Sequence, residues 1–287
     1  MTKQVSVINA FSIDGQGGNP AGVVFDADNL GNETKQAIAT AVGFPETAFV
    51  SSSDVADYRL DFFTPVRQIP HCGHATIATF SYMRKIGKIS TDEISNETAD
   101  GNRTIFFKND EAFMEQRAPT FIQHTDTDEI LAALNLTHYQ LIPGMEIQIV
   151  NTGNSFMIVP VIDQLTLSEI KYDRTAVSGI SEKYGLIGFY LFAPSKGFNA
   201  TARMFAPLYG IDEEAGTGMA AGPLASYLWN REIVTNKNLI IQQGMFMRAP
   251  SPSLIKVELL VSNNTIDKLY VGGRAHVSGQ TVVHLPG

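Results

Sequence analysis

An α+β fold of two similar halves is predicted by three observations in this chain. The first is a segment that occurs twice, about 140 residues apart. One copy runs Phe63-Thr64-Pro65, a short irregular stretch, Cys72-Gly73-His74, and a charge-free run through Met83 that ends in Arg84-Lys85. The other runs Phe205-Ala206-Pro207, a similar stretch, Gly216-Thr217-Gly218, and a charge-free run through Asn230 that ends at Arg231. The second observation is that both runs lack a polar face, and a helix that is apolar all round must be buried. Each is about a dozen residues long, too short for a bilayer, which needs ~20. The third is that many short β-rich stretches with polar turns surround each copy. Together they predict two pseudo-symmetric halves, each a curved, mostly antiparallel sheet around one central buried helix.

The elements follow in order. Val5 to Phe11 and Ala21 to Phe25 read as strands, joined by the flexible Gly15–Gly18 loop and Asn19-Pro20. Asn32 is expected to cap a helix through Val42, with Gly43 as its terminator. Thr47 to Ser51 and Tyr58 to Phe63 are strand-like, and the first buried helix follows from His74. Ile94 to Glu97, Thr104 to Phe107 and Ala112 to Gln116 complete the first half. In the second, strands are predicted at Glu146 to Val150, Ser155 to Val159, Gly188 to Phe192 and Ala200 to Phe205, with a surface helix over Asp173 to Tyr184. Pro223 lies inside the second buried helix and should kink it. Asn238 to Gln242, Leu254 to Leu260, Lys268 to Val271 and Ala275 to His284 are the last strands. The halves are expected at 1–118 with about 275–287, and at 119–274.

Composition narrows the function. The chain has 287 residues, enough for one large domain or two modest ones. A net charge of −8 gives no support to a nucleic-acid partner. A single cysteine excludes an internal disulfide and fits a reducing compartment. Met1-Thr2-Lys3-Gln4-Val5 opens no apolar run of signal-peptide length, so a cytoplasmic protein with no membrane partner is expected. No G-x-G-x-x-G follows a strand, and there is no Walker A loop, H-E-x-x-H or C-x-x-C. His124, His138, His276 and His284 form no metal-ligand spacing, so neither a metal nor a cofactor is expected.

Chemistry is expected where the two buried helices begin. First-turn N–H groups have no intrahelical partner, and the macrodipole adds partial positive charge there. Gly73, Gly216 and Gly218 would let a carboxylate or phosphate approach this backbone closely, or would merely relieve tight helix packing. His74, at the first of these helix mouths, would hydrogen-bond an acid group, polarise a carbonyl, or simply cap the helix. Glu46 follows the turn Gly43-Phe44-Pro45 and precedes an apolar strand. Burial there would raise its pKa and suit it to proton transfer near neutral pH, while the plainer reading is a surface carboxylate on a turn. His71 is expected to be a solvated loop residue.

The ordered motifs Asn19-Pro20-Ala21-Gly22-Val23, Glu46-Thr47-Ala48-Phe49-Val50, Phe63-Thr64-Pro65, Cys72-Gly73-His74-Ala75-Thr76, Met204-Phe205-Ala206-Pro207, Gly216-Thr217-Gly218 and Gln243-Gly244 resemble those of the PhzF-like (phenazine biosynthesis-like) isomerases. The resemblance spans nearly the whole chain and implies the diaminopimelate-epimerase fold. It also implies an active site in the cleft between the halves, no cofactor and a homodimer. Glu46 would then be the general acid/base. Asn19, Gly73, His74, Glu214, Gly216, Thr217, Gly218 and Met219 would contact a small carboxylate-bearing substrate. In the amino-acid epimerases of this fold two cysteines face each other. Cys72 stands in the first position and Ala215 is taken as the second, so a two-thiol reaction is excluded and Cys72 is expected to be a packed apolar residue.

The second loop departs from the family's usual Glu-Asp-Pro-Ala-Thr-Gly-Ser. It reads Glu213-Glu214-Ala215-Gly216-Thr217-Gly218-Met219. Glu214 is one methylene longer than aspartate, and Met219 cannot donate the hydrogen bond of a serine. Ala215 loosens the turn, and Gln68 replaces a frequent glutamate in the first loop. The leading expectation is a cofactor-independent isomerase that moves a proton on a small carboxylate-bearing metabolite. The alternatives are a ligand-binding protein of the same fold without catalysis, and an epimerase that uses Glu46 opposite Cys72.

Overall fold

The computed structural model describes residues 2–123 and 126–284; His124 lies outside them. The chain divides into two compact units, residues 1–115 with 272–287 and residues 116–271. No helix among the described residues is long and apolar enough to cross a membrane.

The first unit contains β1 (Thr2–Ala10), β2 (Asn19–Val24), α1 (Asn32–Val42), β3 (Thr47–Ser51), β4 (Tyr58–Phe63) and β5 (Gln68–Ile69). Then come α2 (Gly73–Lys85), β6 (Glu93–Thr98), β7 (Gly101–Lys108), and β8 (Glu111–Arg117), within which the chain passes to the second unit. The C-terminal strand Ala275–His284 pairs antiparallel with β1. From β1 the sheet continues antiparallel to β2, parallel to β3 and antiparallel to β4. It then runs parallel to β6, antiparallel to β7 and antiparallel to β8. Helix α2 packs on β1, β2, β3 and the C-terminal strand. Ten of its side chains and backbone positions from Gly73 to Met83 are buried. Burying residues such as Ile77, Phe80 and Met83 stabilises the unit by about 1.5–3 kcal/mol each. Helix α1 packs on β4 and the C-terminal strand, tied by a buried Lys35 Nζ–Asp61 Oδ2 pair of 2.5 Å.

The second unit contains β9 (Thr120–Gln123), α3 (Thr127–Leu134), β10 (Gln148–Asn151), β11 (Ser155–Pro160), α4 (Gln164–Glu169), α5 (Arg174–Tyr184), β12 (Gly188–Ala193) and β13 (Ala200–Ala206). It continues with β14 (Ile211–Glu214), α6 (Gly218–Asn230), β15 (Asn238–Gln243), β16 (Ser253–Ser262) and β17 (Thr265–Gly273). Its pairings repeat those of the first unit: β9–β10 and β10–β11 antiparallel, β11–β12 parallel, β12–β13 antiparallel, β13–β15 parallel and β15–β16 antiparallel. Helix α6 packs on β10, β11 and β16. It has 13 residues, as α2 does, and runs unbroken through Pro223. An apolar surround on all sides holds both helices together more firmly than local propensity opposes them.

Several local expectations change. The N-cap of α1 is Gly31, not Asn32, because the Asn32 amide reaches across to Gln68 Oε1 at 3.3 Å. Gly43 ends α1 in the left-handed region as expected. Asp173 caps α5 by accepting the N–H groups of Thr175 and Ala176, and so precedes the helix. The sequence reading omitted α3 and α4, whose first turns are capped by Asp126 and Asp163.

Candidate active site

Glu46 sits between the end of α1 and β3, and its backbone carbonyl accepts the N–H of Gly22 at 3.0 Å. That bond extends the β2–β3 ladder by one residue and turns the side chain inward, leaving Glu46 only 6% exposed. It is therefore not a surface turn carboxylate. Its Oε2 lies 3.2 Å from His74 Nε2, with both side chains almost fully shielded from water. The other ring nitrogen, Nδ1, is 3.5 Å from Cys72 Sγ. Cys72 is the N-cap of α2 and His74 is its second residue, so one helix start aligns thiol, imidazole and carboxylate in a row. Burial pushes the Cys72 thiol up from its ordinary pKa, partly opposed by the nearby imidazole. Cys72 thus stays a thiol at neutral pH, and it touches His74 instead of merely filling space.

The start of α6 is built differently. Thr217 is its N-cap, yet the hydroxyl does not cap the helix; it donates to Glu214 Oε2 at 2.6 Å. Gln243, with no exposed surface, holds this turn from behind. Its Oε1 accepts the Thr217 N–H at 3.0 Å and the Tyr190 hydroxyl at 2.9 Å. Its Nε2 donates to the Glu214 carbonyl at 2.7 Å and to Thr217 Oγ1 at 3.0 Å. Desolvation, with the Glu214 charge nearby, holds the Tyr190 phenol well above its usual pKa, so it remains a donor. Gly244 follows at φ +80°, where a Cβ would lie 2.2 Å from the Ser251 carbonyl and 2.7 Å from that of Ala215. The Gln243-Gly244 pair is therefore a strut under the second loop. Its role escaped the sequence reading; a polar residue closing an apolar strand just before glycine was the available signal.

The structure brings Glu46, Gly73 and His74 together in the first unit and Glu214, Thr217 and Gly218 together in the second. Ala215 and Gly216 are buried, and Met219 is half-buried at the second position of α6. Asn19 is buried at the head of β2. Two expectations are corrected. Matching N-caps make Thr217 the counterpart of Cys72, not Ala215; Met219 then corresponds to His74. His71 is not a solvated loop residue. Its ring meets Phe62 edge-on at 5.7 Å, both ring nitrogens are shielded from solvent, and burial followed by the Arg103 charge lowers its pKa to about 3.

The two units differ at the position of Glu46. Thr47 faces Phe63 in the first unit as Phe189 faces Phe205 in the second, so the residue equivalent to Glu46 is Gly188. A Cβ there would stand 2.4 Å from the Phe205 carbonyl oxygen, and no side chain fits. A carboxylate at this position is therefore confined to the first unit.

Two like α+β units, one of them carrying a shielded carboxylate against an imidazole, hold side chains of the type that transfer protons. The chain belongs to the phenazine biosynthesis-like protein family, which it matches over residues 8–281. It is 34% identical over 285 residues to the uncharacterized isomerase YddE of Escherichia coli K12, covering 96% of each chain. It is 30% identical over 259 residues to the trans-2,3-dihydro-3-hydroxyanthranilate isomerase of Pseudomonas aeruginosa, covering 88% of this chain and 89% of that one. The crystal structure of a PhzF-family phenazine biosynthesis protein from Bacillus anthracis matches with a TM-score of 0.88 at 29% identity, over 99% of this chain and 100% of that one. The family, the α+β fold and the isomerase class are those expected from the sequence.

Proposed function

We propose that Glu46 removes a proton from an activated carbon of a small carboxylate-bearing metabolite and returns it at another position of the conjugated system. The observation that carries this reading is the 3.2 Å approach of His74 Nε2 to the buried Glu46 carboxylate. A carboxylate held against a histidine at a helix start can exchange a proton while first-turn N–H donors stabilise the developing negative charge. The proton step is within reach of these side chains without a cofactor. The Pseudomonas relative is named for isomerising trans-2,3-dihydro-3-hydroxyanthranilate, and a substrate of that carboxylate class is proposed here. Asn19, Gly73, His74, Glu214, Gly216, Thr217, Gly218 and Met219 are its proposed contacts. Glu214 and Met219 stand where the family pattern has aspartate and serine, which favours a substrate with a less polar group at Met219. The working form is proposed to be cytoplasmic, as the single cysteine favours, and homodimeric, as the family resemblance implies, and sedimentation of the purified protein checks the dimer.

A metabolite screen by thermal shift, with each hit incubated in deuterated buffer, tests the reaction. Deuterium should enter the bound acid with wild-type protein and not with Glu46→Gln, which should still bind it. Equal incorporation by the two proteins would remove Glu46 from the mechanism. One observation favours a second reading, a ligand-binding protein without catalysis: the Glu214 carboxylate is engaged by Thr217 within its own turn. Tight binding of an acid with no exchange in wild-type protein would select that reading.

A further inference from the structure

Glu46, Cys72 and His74 together have a second chemistry that proton transfer does not use. One donor atom from each, a carboxylate oxygen, a thiol sulfur and an imidazole nitrogen, lie within 4.8 Å of one another, and all three residues are buried. The nearest approaches are 3.2 Å between Glu46 Oε2 and His74 Nε2 and 3.5 Å between Cys72 Sγ and His74 Nδ1. Ligands about 2.0–2.3 Å from a tetrahedral zinc stand roughly 3.3–3.8 Å apart. The two short approaches use different ring nitrogens of His74, so binding one cation through all three requires Cys72 and His74 to reorient until a single ring nitrogen faces both partners. Sulfur with nitrogen and one oxygen suits zinc or cobalt and discriminates against magnesium and calcium, which take oxygen ligands. Nothing in the local sequence announces such a site, because Glu46 comes from the approach to β3 and only folding brings it to the start of α2.

We propose that Glu46, Cys72 and His74 bind a zinc-like divalent cation through three protein ligands, leaving a fourth position open. On binding, the Cys72 S–H bond breaks, a sulfur–metal bond forms and the proton leaves to solvent. Glu46 cannot then accept a substrate proton, so the occupied protein is an inhibited form. That consequence rests on the proposed role of Glu46; the binding itself does not.

The test is a Co2+ titration of the whole protein under reducing conditions. The chain has one cysteine, so any sulfur-to-cobalt charge-transfer band in the near ultraviolet reports Cys72 alone. One equivalent of Co2+ should develop that band with tetrahedral visible bands, and Zn2+ should displace it. Cys72→Ser should abolish the band. His74→Ala and Glu46→Gln should each keep a thiolate band but weaken binding by at least the ~10–100-fold that an outer-shell change alone costs. Circular dichroism confirms that each variant is folded, and Cys72→Ala replaces Cys72→Ser if the latter is not. No charge-transfer band at saturating Co2+ overturns the proposal, as does an affinity unchanged in both His74→Ala and Glu46→Gln. Neither result depends on turnover, so failure here is distinguishable from failure of the isomerase reading.

Discussion

Glu46 Oε2 and His74 Nε2 stand 3.2 Å apart inside the first unit, both shielded from water. The carboxylate reaches this place because the Gly22–Glu46 backbone bond lengthens the ladder beyond β3. The imidazole reaches it because α2 begins one residue earlier, at Gly73. The short approach and the shielding of both side chains make the two a coupled pair.

His74→Ala should therefore lower the rate of deuterium incorporation by ~10²–10⁴-fold, the usual contribution of a positioned acid/base partner. The double variant with Glu46→Gln should be no slower than Glu46→Gln alone, because the two act as one unit. Multiplying defects would show that they act in separate steps.

Gln243→Leu should destabilise the second unit by several kcal/mol. It leaves the Thr217 N–H and the buried Tyr190 hydroxyl without their acceptor, and each such orphan costs ~1–3 kcal/mol. Urea unfolding measures the loss. Hydrogen exchange at Thr217 should accelerate even under conditions where the protein remains folded, a local effect that a general loss of packing would not single out.

His71 makes a pH prediction. Its folded pKa lies at about 3, below the ordinary 6.5. Between these values the unfolded chain binds a proton that the folded chain excludes, so protonation favours unfolding there. The stabilising effect of neutral His71 is complete above about pH 6.5 and is lost as the pH falls toward about 3. His71→Phe keeps the contact with Phe62 but cannot titrate. Its unfolding free energy should decline less steeply than wild type below pH 6.5, and parallel acid limbs in urea titrations would contradict this.

Gly188→Ala should lower stability by at least the ~1–3 kcal/mol typical of overpacking, since its Cβ would meet the Phe205 carbonyl at 2.4 Å. Gly179→Ala, in α5 with open space around its Cβ, is the control and should be neutral or slightly stabilising. Thermal melts of the two variants make the comparison.

Much of the fold was legible in the sequence because burial writes itself into composition. The charge-free runs after Gly73 and Gly218 announced α2 and α6, and the repeated Phe-x-Pro segments announced the like units. Short polar caps such as Asp126 and Asp163 carried too little signal to reveal α3 and α4. The family motifs marked Glu46 and His74, but neither motif contains the other residue, so their pairing was not legible. Thr217 was misaligned because the stretch from Pro207 to α6, which holds β14, is longer than the stretch from Pro65 to α2, which holds β5, and residue spacing alone cannot place a gap.

What the sequence determined by itself was the class: an α+β protein of the phenazine biosynthesis-like family, with two buried helices and a carboxylate at an element boundary. Periodicity and charge depletion are local properties, and they survive reading one residue at a time. The tertiary structure decided which side chains meet. It turned Glu46 inward against His74, set Cys72 on the other ring nitrogen, placed Gln243 beneath Thr217 and left no room for a side chain at Gly188. Those outcomes depend on strand register and on the distance between backbones, which are fixed only when separate elements pack together.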